Sequence, residues 1–229
     1  MPVRVSASIA KGENRSRTLN RKRLGALPTA TGGISRLAYA RAQAAGIEMR
    51  PLLRKAGLTG QQIRDPNSRV TVDHQIRFLN LAAAALRDEF LGFHLAQSPD
   101  LRALGLLYYV PASSETLGEA LQRLARYVAM ANEGLFLEYH EGRDIKLKLG
   151  YVGVSRYSDR HQIEFCLTVL IRLCRQLTGG HLTLARVRVA HHRGGNSSEF
   201  AAFFRSEVKF GATADEIAFA LALKHLPVV

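Results

Sequence analysis

Two tyrosines stand side by side at Tyr108 and Tyr109, and the run Pro-Ala-Ser-Ser from Pro111 to Ser114 follows them. Their phenols and the hydroxyl of Ser113 offer donors and acceptors to a small polar ligand. The spacing places them in a loop between two apolar helices. Such a loop is either one wall of a ligand pocket or an ordinary corner of a core. His191 is a second candidate. Ala185, Val187, Val189 and His191 alternate with Arg186, Arg188 and His192, so a strand here turns His191 inward. A neutral inward histidine either donates to a ligand carboxylate or is a hydrogen-bonded core group. Glu164 stands one turn into a long helix, where a carboxylate favours the N-terminal dipole and ordinarily faces solvent.

Other chemistries lack their patterns. His191 and His192 point to opposite faces of a regular strand and cannot chelate one metal together. The eight histidines show no HExxH spacing. No GxSxG, Walker loop or strand-following GxGxxG occurs. Serine, histidine and aspartate are present, but a triad is a geometric object and not a composition. The reading is a protein that is not an enzyme and holds neither metal nor cofactor. Cys166 and Cys174 lie eight residues apart among Ile163, Leu167, Leu170 and Leu177. That spacing fits neither a redox pair nor a zinc site, and two buried thiols suit a reducing cytoplasm.

The elements that must position these groups change character along the chain. Residues 35 to about 131 carry helical periodicity. Ser35 to Ala45 ends at Gly46, and a short helix with Pro51 in its first turn ends at Gly57. Thr59 caps a brief turn. Thr71 or Asp73 caps a helix with the buried stripe Ile76, Leu79, Ala83 and Leu86, and a short helix runs from Asp88 through His94. Thr116 opens another with Glu119 three residues on, the capping-box spacing. From Gly134 the period becomes two. Leu135, Leu137 and Tyr139, then Ile145, Leu147 and Leu149, flank a turn at Glu141 to Asp144, which reads as a β-hairpin. Ser158 to Gly179 is a long helix, apolar over more than half its circumference and so covered on two sides. Glu207 to Phe210 and Glu216 to Phe219 are short strand candidates. The fold class is α+β: an N-terminal helical region packed with a small antiparallel sheet and a long central helix. One domain spans residues 34–229, helical over about 34–131 and α+β over about 132–229.

The chain has 32 basic and 19 acidic residues, a net charge of +13. Residues 1–33 hold seven of the basic residues and one acidic, so nearly half of the excess sits on a tail rich in Arg, Ser, Thr and Gly. That tail lacks the apolar content to offset ordering and reads as disordered and solvated. It has no secretory h-region, and no apolar run in the chain approaches the length of a membrane span.

The order of these features resembles the N-terminal, "arabinose-binding" type domain of AraC-type transcription regulators. The matching pattern is Gly105, Tyr108, Pro111 to Ser114, Thr116-Leu117-Gly118-Glu119-Ala120-Leu121 and Arg126-Tyr127. Gly46-Ile47, Leu52 to Leu58, Asp65-Pro66, Val187 to His191, Phe210-Gly211-Ala212 and Leu223 to Pro227 agree in order, so that the match covers roughly residues 35 to 227. The resemblance implies a cytoplasmic effector-sensing and dimerisation domain. It adds Tyr127 and Glu164 to Tyr108, Tyr109, Ser113 and His191 as ligand-binding candidates. The expected partners are a small organic effector, a carboxylate or amino acid such as ornithine, arginine or a short fatty acid, and a second copy of the chain. A cupin-like barrel fits poorly, because the first hundred ordered residues carry no strand pattern. A dimerisation module without ligand is the alternative reading. Members of the family continue into helix-turn-helix units, so that the chain is expected to be a sensor domain cut before its DNA reader.

A nucleic-acid role of the chain itself rests on the basic tail or on Met49 to Arg64, which superficially resembles a helix-turn-helix. The second helix of that pair is barely one turn long before Asp65-Pro66 stops it, too short to lie along a major groove. We therefore expect weak DNA binding that falls steeply with salt, ignores sequence, and vanishes when residues 1–33 are deleted. Gel-shift titration of both chains at physiological salt checks this; tight, sequence-selective binding by the shortened chain would overturn it.

Overall fold

The computed structural model describes residues 27–154, 158–180, 182–193 and 197–229, so that most of the basic tail lies outside the described residues. The helical half follows its local signals closely. Helix α1 (Gly33–Ala44) ends with Gly46 at φ 77°, and α2 (Met49–Ala56) ends with Gly57 at φ 80°, left-handed positions that favour glycine. The short α3 (Gly60–Arg64) has a complete capping box between Thr59 and Gln62. Of the two caps open to α4 (Val72–Leu86), the hydroxyl of Thr71 is the one used, accepting from the N–H of His74. Helix α5 (Leu91–Gln97) and a 3₁₀ turn (Leu101–Leu104) follow.

Two local expectations are corrected here. Tyr108 and Tyr109 are not in a loop: they lie in α6 (Leu106–Ala112), which runs through Pro111. The proline removes one helical donor, and Ser113 compensates at the helix end. Its N–H donates to the carbonyls of Tyr109 and Val110, and its hydroxyl donates to Val110. The capping box at α7 (Leu117–Tyr127) is half formed. Thr116 accepts from the N–H of Glu119, but the Glu119 carboxylate accepts from the N–H of Glu115 rather than from that of Thr116.

Strands β3 (Leu135–Glu141) and β4 (Asp144–Tyr151) form the expected hairpin. The long helix is α8 (Arg160–Leu177), followed by β5 (Leu184–Arg188), α9 (Ser198–Phe204), β6 (Val208–Lys209) and β7 (Asp215–Ala220). The five strands make one sheet in the order β3-β4-β7-β5-β6. The sheet is mixed rather than purely antiparallel: β6 lies parallel to β5, because α9 carries the chain back along the sheet between them. A register shift between Leu184 and Arg186 leaves Ala185 exposed, although regular alternation would turn it inward. Strand pairing also occurs in the first half, where β1 (Thr29–Ala30) pairs with β2 (Val70–Thr71). Ordered structure thus includes residues 29–33, which composition assigns to the tail. Glu133 holds them by accepting from the N–H and the hydroxyl of Thr29.

Two buried clusters share α8. One joins the inner sheet face, α7, α9 and most of the apolar residues of α8. The other lies among α1, α2, α4 and α5, and Phe165 of α8 packs against it. The two-sided cover expected from the breadth of that apolar surface is therefore real. Where α5 meets α8 there is no room for a side chain: a Cβ on Gly92 would stand 1.9 Å from the carbonyl oxygen of His161. Gly92→Ala must separate the two helices, and we expect it to cost about 2–3 kcal/mol by urea denaturation. A loss below about 1 kcal/mol would show that the contact yields easily.

Candidate ligand-binding site

The six sequence candidates fall into two separate places. Glu164 and His191 meet: His191 Nε2 is 2.9 Å from Glu164 Oε1. Solvent and helix-dipole duties do not describe Glu164, whose side chain is 0% exposed. Arg193 covers it with a fork, Nε to Oε1 at 2.9 Å and Nη2 to Oε2 at 2.9 Å, and is itself only 3% exposed. Arg193 also donates to the carbonyl of Glu89, and its guanidinium carbon lies 3.4 Å above the centre of the Phe90 ring. His191 leans on Phe210 and borders a polar recess shared with His161, His192, Asp88 and Asp159. Burial pushes the His161 imidazole down to about 4, so it stays neutral there.

The other four gather around α6 and α7. Tyr108 and Tyr109 pack edge to face, with ring centres 5.2 Å apart. The Tyr108 hydroxyl accepts from Nε2 of Gln176 on α8, while Tyr109 is exposed. Ser113 accepts from Arg123 Nη1 at 2.9 Å. Tyr127, half-buried, closes α7. These groups serve one another and the helix ends.

None of the six lines the apolar cavity that lies between the helical half and the sheet. Its volume is about 410 Å³, within the range of small-molecule sites. One wall is a stripe of α8, Gln162, Cys166, Val169, Leu170 and Leu173, which share a helical face by spacing. Leu135, Leu137 and Leu149 of the sheet form a second wall, and Leu101, Leu104, Leu107, Leu124 and Val128 a third. The junction of β1 and α1 closes one end with Thr31, Ile34, Arg36 and Leu37, beside Asn132. Cys166, half-buried rather than fully enclosed, is part of this wall. Burial pushes its thiol up to about 11, so it is a protonated apolar group and not a nucleophile. Cys174, fully enclosed, is pushed up to about 12.

Besides the exposed Asp100, polar side chains interrupt the apolar lining around Gln75 and Gln162. Gln75 Nε2 donates to Gln162 Oε1 at 2.7 Å, and Gln75 Oε1 accepts from the hydroxyl of Ser35. Arg36 and Asn132 also line the cavity. Thr31 ties these two together: its carbonyl accepts from Arg36 Nη2, and its N–H donates to the carbonyl of Ala131. Sequence reasoning missed all four. A glutamine inside an apolar helical stripe, as Gln75 and Gln162 are, was the one signal available.

The model of the arabinose-binding domain of AraC transcription regulators, N-terminal, matches residues 46–228. The chain belongs to this family. No match was found among curated proteins. Among solved structures, the crystal structure of transcriptional regulator CdpR from Pseudomonas aeruginosa aligns with a TM-score of 0.53 and 16% identity. The alignment covers 84% of this chain and 57% of that one. At such identity the likeness shows a shared fold, and the chain spans little more than half the length of CdpR. Among the described residues no helix is long and apolar enough to cross a membrane, and no group of His, Cys, Asp and Glu is arranged to hold a metal ion.

The buried Glu164–Arg193 pair is testable apart from any ligand. Arg193→Met leaves a carboxylate enclosed without its counter-charge, and we expect a loss of about 3–5 kcal/mol by urea denaturation. Adding Glu164→Leu to Arg193→Met should recover much of that loss. A single-variant loss under about 1 kcal/mol would show that water reaches the carboxylate.

Proposed function

We propose that this chain is the effector-sensing module of an AraC-type regulator and that its effector occupies the cavity between α8, the sheet and the β1–α1 junction. The observation that carries the reading is a partly open apolar pocket of about 410 Å³ with a small group of polar side chains at one end. Apolar walls with few convergent polar groups are the ordinary chemistry of a small-molecule site. The alternative expected from the polar candidates, a pocket at Glu164 and His191, is weaker. Those two side chains already hydrogen-bond each other, and Arg193 supplies the counter-charge of Glu164.

Homodimer formation is a second role in this reading. Leu106 and Tyr109, 54% and 57% exposed, lie one turn apart on the outer side of α6. Leu107 of the same helix lines the cavity. One short helix thus touches the proposed ligand with one side and offers apolar side chains to a partner with the other, which supports coupling between occupancy and association. DNA reading is not assigned to α2 and α3. Helix α3 has five residues, Ile63 is buried, and the Gln62 side chain is spent on its own cap.

A thermal-shift screen of small carboxylates and amphipathic molecules tests the site, since a ligand of the folded state raises the melting temperature by mass action. Val169→Trp places an indole in the cavity from the middle of α8. It should keep the fold and abolish the shift given by any hit. A hit that shifts this variant as much as the parent binds elsewhere, and shifts that are null throughout would favour a dimerisation module without ligand.

A further inference from the structure

We infer that the cavity takes an uncharged, largely hydrocarbon molecule, with a hydroxyl or carbonyl group at most, and rejects anions, cations and zwitterions. The inference rests on the reading of the cavity as the effector site and adds the chemical class of the ligand. It departs from the carboxylate or amino acid expected from the sequence.

An ion that leaves water for an apolar wall needs a counter-charge, and hydrogen bonds in place of its hydration. The described lining residues include no lysine or histidine, and their one guanidinium is already placed. Arg36 Nη1 is enclosed by protein, and Nη2 donates to the carbonyl of Thr31. The amide nitrogen of Asn132 is enclosed as well, while its Oδ1 accepts from the N–H of Gly134. An anion inside therefore meets no cation. The one carboxylate among the described lining residues is Asp100, which is exposed and already accepts from the N–H and side chain of Arg102. A cation inside is equally without a partner, and a zwitterion lacks both.

The deeper polar groups are neutral and spent on one another. Gln75 donates to Gln162 and accepts from Ser35, and Gln162 Nε2 donates to the Cys166 sulfur at 3.6 Å. That leaves no ring of free donors and acceptors such as a sugar requires. Cys166 is the group of the α8 wall that could acquire a charge, and burial keeps it protonated. The rest of the lining is mostly leucine, valine, isoleucine and phenylalanine, a surface that gains by covering hydrocarbon. Nor does the mouth suit a charged head. The exposed lining residues there are Thr31, Asp100 and Ala103. Because Asp100 is paired with Arg102, an anion left at the rim meets a carboxylate and a cation meets a guanidinium.

The test is calorimetric titration of the full chain with octan-1-ol, octanoate and octylamine, which share one chain and differ in charge. At pH 7 octanol should bind at least about thirtyfold more tightly than either ion. From hexanol to octanol the affinity should rise about fourfold per methylene added. Octanoic acid should enter only in its protonated form. Its apparent affinity should therefore fall about tenfold for each pH unit between roughly 6 and 8, while that of octanol stays constant. Octanoate that binds as tightly as octanol, or with an affinity independent of pH, would show a cation within its reach and overturn the inference. Octylamine that binds as tightly as octanol would overturn it too, and in both cases the cavity remains a ligand site. If none of the three binds, or Val169→Trp binds octanol as the parent does, the placement of the ligand in this cavity falls and the inference falls with it.

Discussion

The enclosed ion pair of Glu164 with Arg193 fixes the placement of α8, and most of the molecule is arranged around that helix. A carboxylate with no exposed surface is tolerated only with a counter-charge and hydrogen bonds on both oxygens. Arg193 and His191 supply them from the chain that leaves β5. The same guanidinium reaches the Glu89 carbonyl and covers the Phe90 ring, just ahead of α5. Three segments distant in sequence are thereby held at one point. Apolar packing alone would let α8 slide along either neighbour, because dispersion contacts are non-directional. A fork of short, charge-assisted bonds defines its height and rotation.

That rotation decides what each stripe of α8 meets. Ile163, Leu167, Leu170, Ile171 and Leu177 belong to the cluster that includes the sheet, and Phe165 turns to the helical half. The stripe from Gln162 to Leu173 falls between the two bodies, where neither fills the space. A gap of this kind forfeits dispersion contacts in its walls and normally collapses. Here collapse is opposed on two sides. The close seat of Gly92 on His161 holds α5 against α8, and the β1–β2 pairing with the Glu133 bonds holds the chain ahead of α1 at the far end. The cavity is a consequence of rigid elements meeting at fixed heights.

Much of the frame was legible in the sequence because its causes are local. Glycines at positive φ, the Thr71 cap, the period-two hairpin and the wide apolar surface of α8 each act within a few residues. What failed had non-local causes. Pro111 reads as a loop residue, yet Ser113 completes the helix end and Gln176 of α8 supports Tyr108. The bulge at Leu184 and Arg186 comes from pairing with β7, not from β5 itself. The strand expected to run to His191 ends at Arg188, so the alternation that turned His191 inward does not hold there; His191 lies beyond β5 and reaches Glu164 from the chain that follows it. The cavity was not legible at all. Its walls come from both strands of the hairpin, five helices, two 3₁₀ turns (Leu101–Leu104 and Val128–Met130) and the residues just ahead of α1, and no spacing along the chain brings Arg36 and Asn132 to one cavity.

This division also separates what holds the domain together from what closes one end of its cavity. The ion pair, the α5–α8 contact and the sheet all lie within residues 46–228, the span that matches the family. They set the volume of the cavity and the apolar character of its walls. The polar end includes Thr31 and Arg36, which enter from outside that span on a segment bonded to residues 131–133 by two backbone hydrogen bonds, Thr31 N–H to Ala131 and Glu133 N–H to Thr29. Changing these two side chains therefore needs no repacking of α8 or the sheet, since neither residue belongs to the two buried clusters. A fold arranged in this way can change the side chains at that end of the cavity through a short leading segment and keep α8 and the sheet in place.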